Sequence, residues 1–359
     1  MKEKLEKEYH RPVLKTPPPP EIAYLDLDAP LFAAAGAGEQ VVYSVIAPNG
    51  ETLGSFNSAK EHTKWLEESE AFGLDTQFDY GGDLSELTRE TSYQVGDFEA
   101  CTKSFDRIVS GWVKQSGCRE WVGYVSKASG APNFRYDLAT VAAYKGKRGE
   151  THKPHYLEQL RKHVRELPNV KVPRGPVEVD DVVAAMSQKK RYKGCLIGVD
   201  KDGRGAHDTH ILIPDEMDVP EFSSKKIVGR LYKHEKSGKV VGYGTLFWLY
   251  QSLQGDSVDK IPGCKGVGSV AAYGLLSEFD GVCASHLKDA IKVVAKQYHK
   301  VYGETHKYLH HTSGEELEVN GADLFVEMSH LVYMKKSLKD ECFWIPTIYE
   351  VWEEIVGEG

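Results

Sequence analysis

The chain of 359 residues contains no apolar run approaching the ~18–20 residues that a membrane span needs. Its six cysteines (101, 118, 195, 264, 283 and 342) form no C-x-x-C pair. That argues against a zinc site or a disulfide framework, suits a reducing cytoplasm, and leaves the thiols as small apolar groups. The N-terminal stretch MKEKLEKEYHRPVLKTPPPP lacks the apolar segment of a secretory signal. Four successive prolines forbid helix and strand ladders there, so residues 1–20 read as a flexible arm. Positive charge is also short, with 45 Lys and Arg against 53 Asp and Glu and a net charge of −8.

What is present is an apolar fraction of 41%, enough to bury a sizeable core, and a very uneven charge. Residues 131–174 carry ten bases against four acids, whereas 51–100 carry twelve acids against three bases. Such a split predicts a local polyanion-binding face on an acidic body. EIAYLDLD (21–28) reads as a buried strand ending on acids, and VVYSVIAPNGETLGSF (41–56) as a hairpin about its N-G turn. Helices are predicted at 58–73 and 98–117, on either side of an acidic segment of low periodicity, followed by a strand at 120–127. HYLEQLRKHVREL (155–167) and VEVDDVVAAMSQK (177–189) read as helices, CLIGVD (195–200) as a strand, and 227–244 as a hairpin turning at Ser237-Gly238. Beyond residue 245 the pattern is mainly helical. The expected organisation is an α/β core over 21–244 with an acidic insertion at about 57–115, then a helical region over 245–359. The expected fold class is α/β, with a mostly parallel sheet flanked by helices.

Acids recur where strands end or helices begin: Asp26 and Asp28; Glu178, Asp180 and Asp181; Asp200 and Asp202; Asp256 and Asp259. In an open α/β sheet these positions converge beyond the carboxyl ends of the strands. So many carboxylates in one crevice require cations, and oxygen donors without a His/Cys pattern select Mg²⁺ or Mn²⁺. Two such ions form a clamp for in-line displacement at phosphorus. DKDGRG (200–205) is not a calcium loop, because Arg204 and Ile211 occupy ligand positions, and GCKGVGS lacks the G-K-[S/T] of a P-loop. In GDSVDKIPGCKGVGSVAAYGLL (255–276), Asp256 and Asp259 sit one helical turn apart. Pro262-Gly263 stops that turn, and Gly266 and Gly268 permit an exposed backbone at the start of the next helix, where an anion would be favoured.

G-D-S-V-D-K-I-P-G-C-K-G-V-G-S-V-A-A closely resembles the metal-aspartate and helix–hairpin–helix segment of the 5′-nuclease (flap endonuclease) superfamily. V-E-V-D-D-V-V resembles its acidic helix, G-V-D-K-D its strand-end acid pair, and L-D-L-D its first metal aspartate. F-R (134–135) with Y-K-G-K-R (144–148) resembles its basic stretch. The match runs from about 22 to 280 and looks most like the bacteriophage 5′–3′ exonucleases, which implies a PIN-like core. The resemblance implies Asp26 or Asp28, Glu178, Asp180 and Asp200 as ligands of one metal. It implies Asp202, Asp256 and Asp259, with Asp200 perhaps shared, as ligands of another. Asp181 would support these ligands or cap the helix. Arg135, Lys145 and Arg148 would be the catalytic cations, with Lys147 and Lys153 as further DNA contacts. Gly263, Lys265, Gly266 and Gly268 would bind DNA, with K⁺ at the hairpin, and Tyr144 would stack on an unpaired base.

Two departures stand out. The family carries an Asp just after the second strand, where this chain reads GYVSKASGAPNFR with Ser126 and Ser129, and in this chain the F-R and Y-K-G-K-R elements lie a residue or two farther apart than is usual in the family. The expected activity is Mg²⁺-dependent hydrolysis of DNA, or of RNA in hybrids, from a 5′ end, by a monomer serving phage DNA replication or host DNA degradation in the host cytoplasm. Alternative readings are a structure-specific 5′-flap endonuclease and a DNA-binding member of the fold weak in catalysis. A small-phosphate hydrolase would leave 255–276 unexplained.

Overall fold

The computed structural model describes residues 9–72, 86–128, 133–146, 152–214, 216–218, 226–235, 237–342 and 344–358. The chain divides into two compact units, one of residues 1–29, 111–151 and 167–359, the other of 30–110 and 152–166. The boundaries expected from sequence, an insertion at about 57–115 and a helical region over 245–359, were drawn on a different basis from this division, in which residue 30 opens the second unit.

In the first unit a six-stranded sheet has the order β6-β5-β1-β7-β8-β9. Its strands are β1 (Ile22–Asp26), β5 (Glu120–Tyr124), β6 (Val170–Lys171), β7 (Gly194–Ile197), β8 (His210–Ile213) and β9 (Glu216–Asp218). All pair in parallel except β9, which runs antiparallel to β8. Strands buried on both faces read as continuous apolar runs, as β7 does. The helices of this unit are α4 (Phe134–Leu138), α6 (Val179–Lys190), α7 (Thr245–Gln254), α8 (Ser269–Leu276), α9 (Leu287–Tyr302), α10 (Gly321–Leu331) and α11 (Ile345–Gly357). Val179, Val182 and Val183 of α6 pack on Tyr24, Leu196 and Ile211 of the sheet. A larger core gathers Trp248, Tyr298, Phe325 and Trp352 from α7, α9, α10 and α11. Helix α7 is buried from Thr245 to Leu253, as a helix with apolar residues on every face must be.

Two hairpins complete the unit: β10 (Gly229–Lys233) with β11 (Val240–Gly244), and β12 (His306–Leu309) with β13 (Glu316–Val319). The second lies where a mainly helical pattern was expected. The N-terminal arm, from Tyr9 onward, is docked rather than flexible. The His10 carbonyl accepts the Cys283 N–H at 2.8 Å, Arg11 donates to the Glu278 carbonyl at 2.6 Å, and His210 donates to the Pro18 carbonyl at 2.8 Å.

The second unit contains an antiparallel sheet β3-β2-β4, of β2 (Glu39–Ile46), β3 (Thr52–Phe56) and β4 (Thr88–Val95). Val45, Ala47, Leu53 and Trp65 form its core with α2 (Ala59–Phe72). It also holds α5 (Leu157–Arg165) and most of α1 (Asp28–Gly36) and α3 (Phe98–Ser116). Strand β4 is exposed along its whole length, so it shows no burial periodicity and escaped the sequence reading.

Candidate metal centre

The parallel register sets Asp26 at the carboxyl end of β1, between neighbours β5 and β7. Chain reversal after β7 brings Asp200 to the same end, and the first turn of α6 brings Asp180. Asp26, Asp180 and Asp200 line one small pocket with Val183, Leu196, Ile197, Gly198 and Gly203. The acids of this pocket face one another. Burial first, then the charge of Asp28, pushes Asp26 up to about 6. Burial, then the charges of Asp26 and Asp200, holds Asp180 well above the usual carboxylate range. Beside them, carboxylate oxygens of Asp200, Asp202 and Asp259 lie within 4.8 Å of one another. Burial, then Asp200 and Asp256, likewise raises Asp202.

Other acids of the site are neutralised by the chain itself. Glu178, just before α6, accepts Lys145 Nζ at 2.6 Å, Arg135 Nη1 at 2.9 Å, Asn133 Nδ2 at 3.0 Å and the Tyr144 hydroxyl at 3.0 Å. Burial pushes Glu178 up, but Arg135 and Lys145 outweigh it and hold the carboxyl below its ordinary value. Asp256 accepts Lys201 Nζ at 2.9 Å; burial pushes its carboxyl up, but that bond, the lysine's charge and the N–H groups of Val258 and Asp259 together hold it low.

Arg135 differs from its expected place at a phosphate. Its side chain is 1% exposed and its five N–H donors are all spent: Nε on the Leu331 carbonyl, Nη1 on Glu178 and Asp181, Nη2 on Asp181 and the Tyr333 carbonyl. Asp181, fully buried, is thus the bidentate partner that fixes Arg135. Tyr144 is no stacking surface either. It is buried, and its hydroxyl donates to Glu178 and reaches Asp259 Oδ2 at 3.2 Å; burial first, then the charges of those two acids, raises its pKa. Lys145 (φ +55°) also bonds the Asp259 carbonyl through its N–H at 3.0 Å. Lys153 is exposed in the second unit, and Lys147 and Arg148 lie outside the described residues.

The 255–268 segment is a hairpin without the helical turn expected at 256–259. Asp256 and Ile261 exchange both backbone hydrogen bonds, at 2.8 and 2.7 Å, while Asp256 Oδ1 accepts the Val258 N–H at 2.8 Å. Close backbone approach explains the glycines at its base: a Cβ on Gly263 (φ +64°) would lie 2.4 Å from the Gly255 nitrogen. Gly266 (φ +78°) and Gly268 face open space at the tip, ahead of α8. The exposed Lys265 spends its N–H on the Tyr302 hydroxyl at 2.9 Å.

Three further residues were not singled out from sequence, Asn133, Lys201 and Gln251, and Ser126 was noted only for the acid it replaces. Ser126 bonds Asp28 through both its N–H, at 3.1 Å, and its hydroxyl. Gln251, 2% exposed within the apolar α7, donates its amide to Asp202 while its Oε1 has no hydrogen-bond partner. A buried acceptor left open beside clustered carboxylates fits a divalent cation or a water held by one, and the all-oxygen donor set fits Mg²⁺ or Mn²⁺. A long amide in a helix buried from Thr245 to Leu253, five residues before Asp256, was the available signal for Gln251.

No protein-family model matches the chain. It is 30% identical over 152 residues, 41% of its length, to a DNA polymerase I of Deinococcus radiodurans, covering 14% of that protein. It is 29% identical over 154 residues, 42% of its length, to the thermostable DNA polymerase I of Thermus thermophilus, covering 17% of it. A 5′–3′ exonuclease of Aquifex aeolicus is 27% identical over 108 residues, 29% of this chain and 34% of that one. The matches therefore span well under two thirds of each relative. Among solved structures, the T5 5′-exonuclease with bound zinc aligns at a TM-score of 0.40 and 17% identity, over 71% of this chain and 90% of that one. The T5 D15 protein co-crystallised with metal ions aligns at 0.41 and 12%, over 94% and 98%. The resemblance carried by the motifs is thus met by comparison: the chain is similar to a 5′–3′ exonuclease and to bacterial DNA polymerases I.

Proposed function

We propose that this protein is a metal-dependent nuclease that hydrolyses DNA phosphodiesters from a 5′ end, as a 5′–3′ exonuclease in phage DNA replication or host DNA degradation. The observation that carries the reading is the gathering of Asp26, Asp180, Asp200, Asp202 and Asp259 from four separate segments at one end of a parallel sheet. Carboxylates packed this way oppose the fold unless a cation joins them, and no DNA-binding face benefits from such negative charge. The names of the relatives support DNA and a 5′ terminus.

Asp26, Asp180 and Asp200 would hold one divalent cation, and Asp200, Asp202 and Asp259 a second, with Gln251 beside it. When bound, such ions polarise a phosphoryl oxygen and lower the pKa of a water. The rest is done by the chain. Asp181 fixes Arg135, Arg135 fixes Glu178, and the Tyr144 hydroxyl ties Glu178 to Asp259. These bonds hold the acidic turn of α6 and the 256–259 turn in one arrangement, as catalysis by pre-positioned groups demands. The backbone at Gly266 and Gly268, ahead of the positive end of α8, would grip a phosphate farther along the strand.

The test is digestion of a 5′-labelled duplex and a 5′-flap duplex with and without Mg²⁺, wild type beside Asp202→Asn. Release of label as mononucleotides or short pieces, only with metal and only by wild type, is the expected result. Cleavage confined to the flap makes the protein a flap endonuclease. Binding of both DNAs with cleavage of neither overturns the enzymatic reading.

A further inference from the structure

Three bases among the described residues meet acids of the site: Arg135, Lys145 and Lys201. The first two are shut in, with side chains 1% and 8% exposed, whereas that of Lys201 is 45% exposed. Lys201 also stands between Asp200 and Asp202 in the chain. The Asp200 carboxylate accepts the Asp202 N–H at 3.0 Å and so opens the short 3₁₀ helix Lys201–Gly205. That bond fixes the backbone on either side of Lys201, while its flexible four-carbon stem carries Nζ to Asp256 Oδ2 at 2.9 Å.

The pair adds little to the fold. Solvent screens it, and Asp256 is held besides by the N–H groups of Val258 and Asp259. Its place among the acids points to another use. The charges of Asp256, Asp202 and Asp200 all act on the ammonium, so a divalent cation joined to Asp200, Asp202 and Asp259 loosens their hold on it. A phosphodiester drawn to that cation brings negative oxygens to the open side of the cluster. Nζ has three donors, more than its bond to Asp256 consumes.

We propose that Lys201 is a catalytic residue whose ammonium donates a hydrogen bond to a non-bridging oxygen of the scissile phosphate. The proposal rests on the nuclease reading of the site. It supplies the exposed cation that Arg135, enclosed by its own partners, does not provide. Lys201 transfers no proton. Water attacks phosphorus, a P–O bond breaks, and the lysine meets the charge on the phosphoryl oxygens, most strongly in the transition state.

The test is cleavage of the 5′-labelled duplex in saturating Mg²⁺ with kcat and KM resolved, beside Mn²⁺ binding and urea unfolding. Lys201→Gln should lower kcat by about 10²–10³-fold, as loss of one donor to a developing oxyanion does, with KM little changed. Lys201→Arg, which keeps the charge, should recover about tenfold or more of that loss. Neither variant should bind Mn²⁺ more weakly than wild type or move the urea midpoint appreciably. If Lys201→Gln keeps kcat within about threefold of wild type, or if Lys201→Arg falls as far as Lys201→Gln, the proposal falls while the nuclease reading stands. A loss of rate that tracks weaker Mn²⁺ binding overturns it as well. If wild type itself cuts no DNA in Mg²⁺, the nuclease reading falls, and this proposal with it.

Discussion

The acids of the site fall into two groups that sequence alone treats as one. Glu178, Asp181 and Asp256 are each met by a base of the chain: Arg135 and Lys145, Arg135, and Lys201. Asp26, Asp180 and Asp202 have other carboxylates as their main charged neighbours and are pushed up in pKa, whereas Glu178 and Asp256 are held down. The first group is structurally complete without any external ion. On the proposed reading, the second is completed by a metal ion. Acid count is therefore a poor guide to metal ligands; which acids lack a protein cation is a better one.

The largest effect should come from breaking the first group. Arg135→Met leaves Asp181 buried and unpaired, an arrangement that costs about 3–5 kcal/mol. Urea unfolding should show that loss with metal absent. A midpoint within a few tenths molar of wild type would mean that the Arg135–Asp181 pair contributes little and the division is wrong. Breaking the second group should have the opposite character. Asp180→Asn should weaken Mn²⁺ binding by more than about 100-fold, beyond what outer partners supply, and abolish cleavage. Its unfolding midpoint in EDTA should hold or rise, because a like-charge contact has gone.

Titration separates the groups as well. Protons and a cation compete for Asp26, so Mn²⁺ affinity should drop by up to about tenfold per pH unit as pH falls below about 6. The sign for stability follows from the same shift. A carboxyl raised from its unfolded value to about 6 binds its proton more readily when folded, so the metal-free protein loses stability as pH rises through 6. Saturating Mn²⁺ should remove that slope. An affinity profile still flat at pH 5 would show that Asp26 is not a ligand. Glu178 should take no part in this window, because its bases hold it low.

Much of the second group was legible, since an apolar strand followed by acids, as in AYLDLD or CLIGVD, places those acids at the carboxyl end of a parallel sheet. The pairing that defines the first group was not. Arg135 and Asp181 are 46 residues apart, Lys201 and Asp256 are on separate elements, and no local rule joins them. Reading Arg135 as a phosphate contact failed because sequence reports its charge but not its burial. The D-x-x-D spacing at 256–259 looked helical, but Gly255 (φ +75°) and Pro262 bound a tight turn closed by Asp256 and Ile261. The β12–β13 hairpin had a usable signal in its Ser313-Gly314 turn between alternating residues, which the search for helical periodicity passed over.

The smallest expected effect tests the boundary between the groups. Asp256 is 4% exposed, yet its base is not buried: the Lys201 side chain is 45% exposed, so solvent screens the pair and its net worth is under about 1 kcal/mol. Asp256 also keeps the N–H groups of Val258, at 2.8 Å, and Asp259, at 3.3 Å, when the lysine is gone. Lys201→Gln should therefore barely move the urea midpoint. It should, however, transfer Asp256 to the group that wants an ion, because burial then goes unopposed by a nearby cation. Tighter Mn²⁺ binding by Lys201→Gln, by about twofold to tenfold, would mean that the lysine and the metal compete for one carboxylate. Unchanged or weaker binding would place Asp256 outside the metal's reach, as a residue that shapes the hairpin and nothing more.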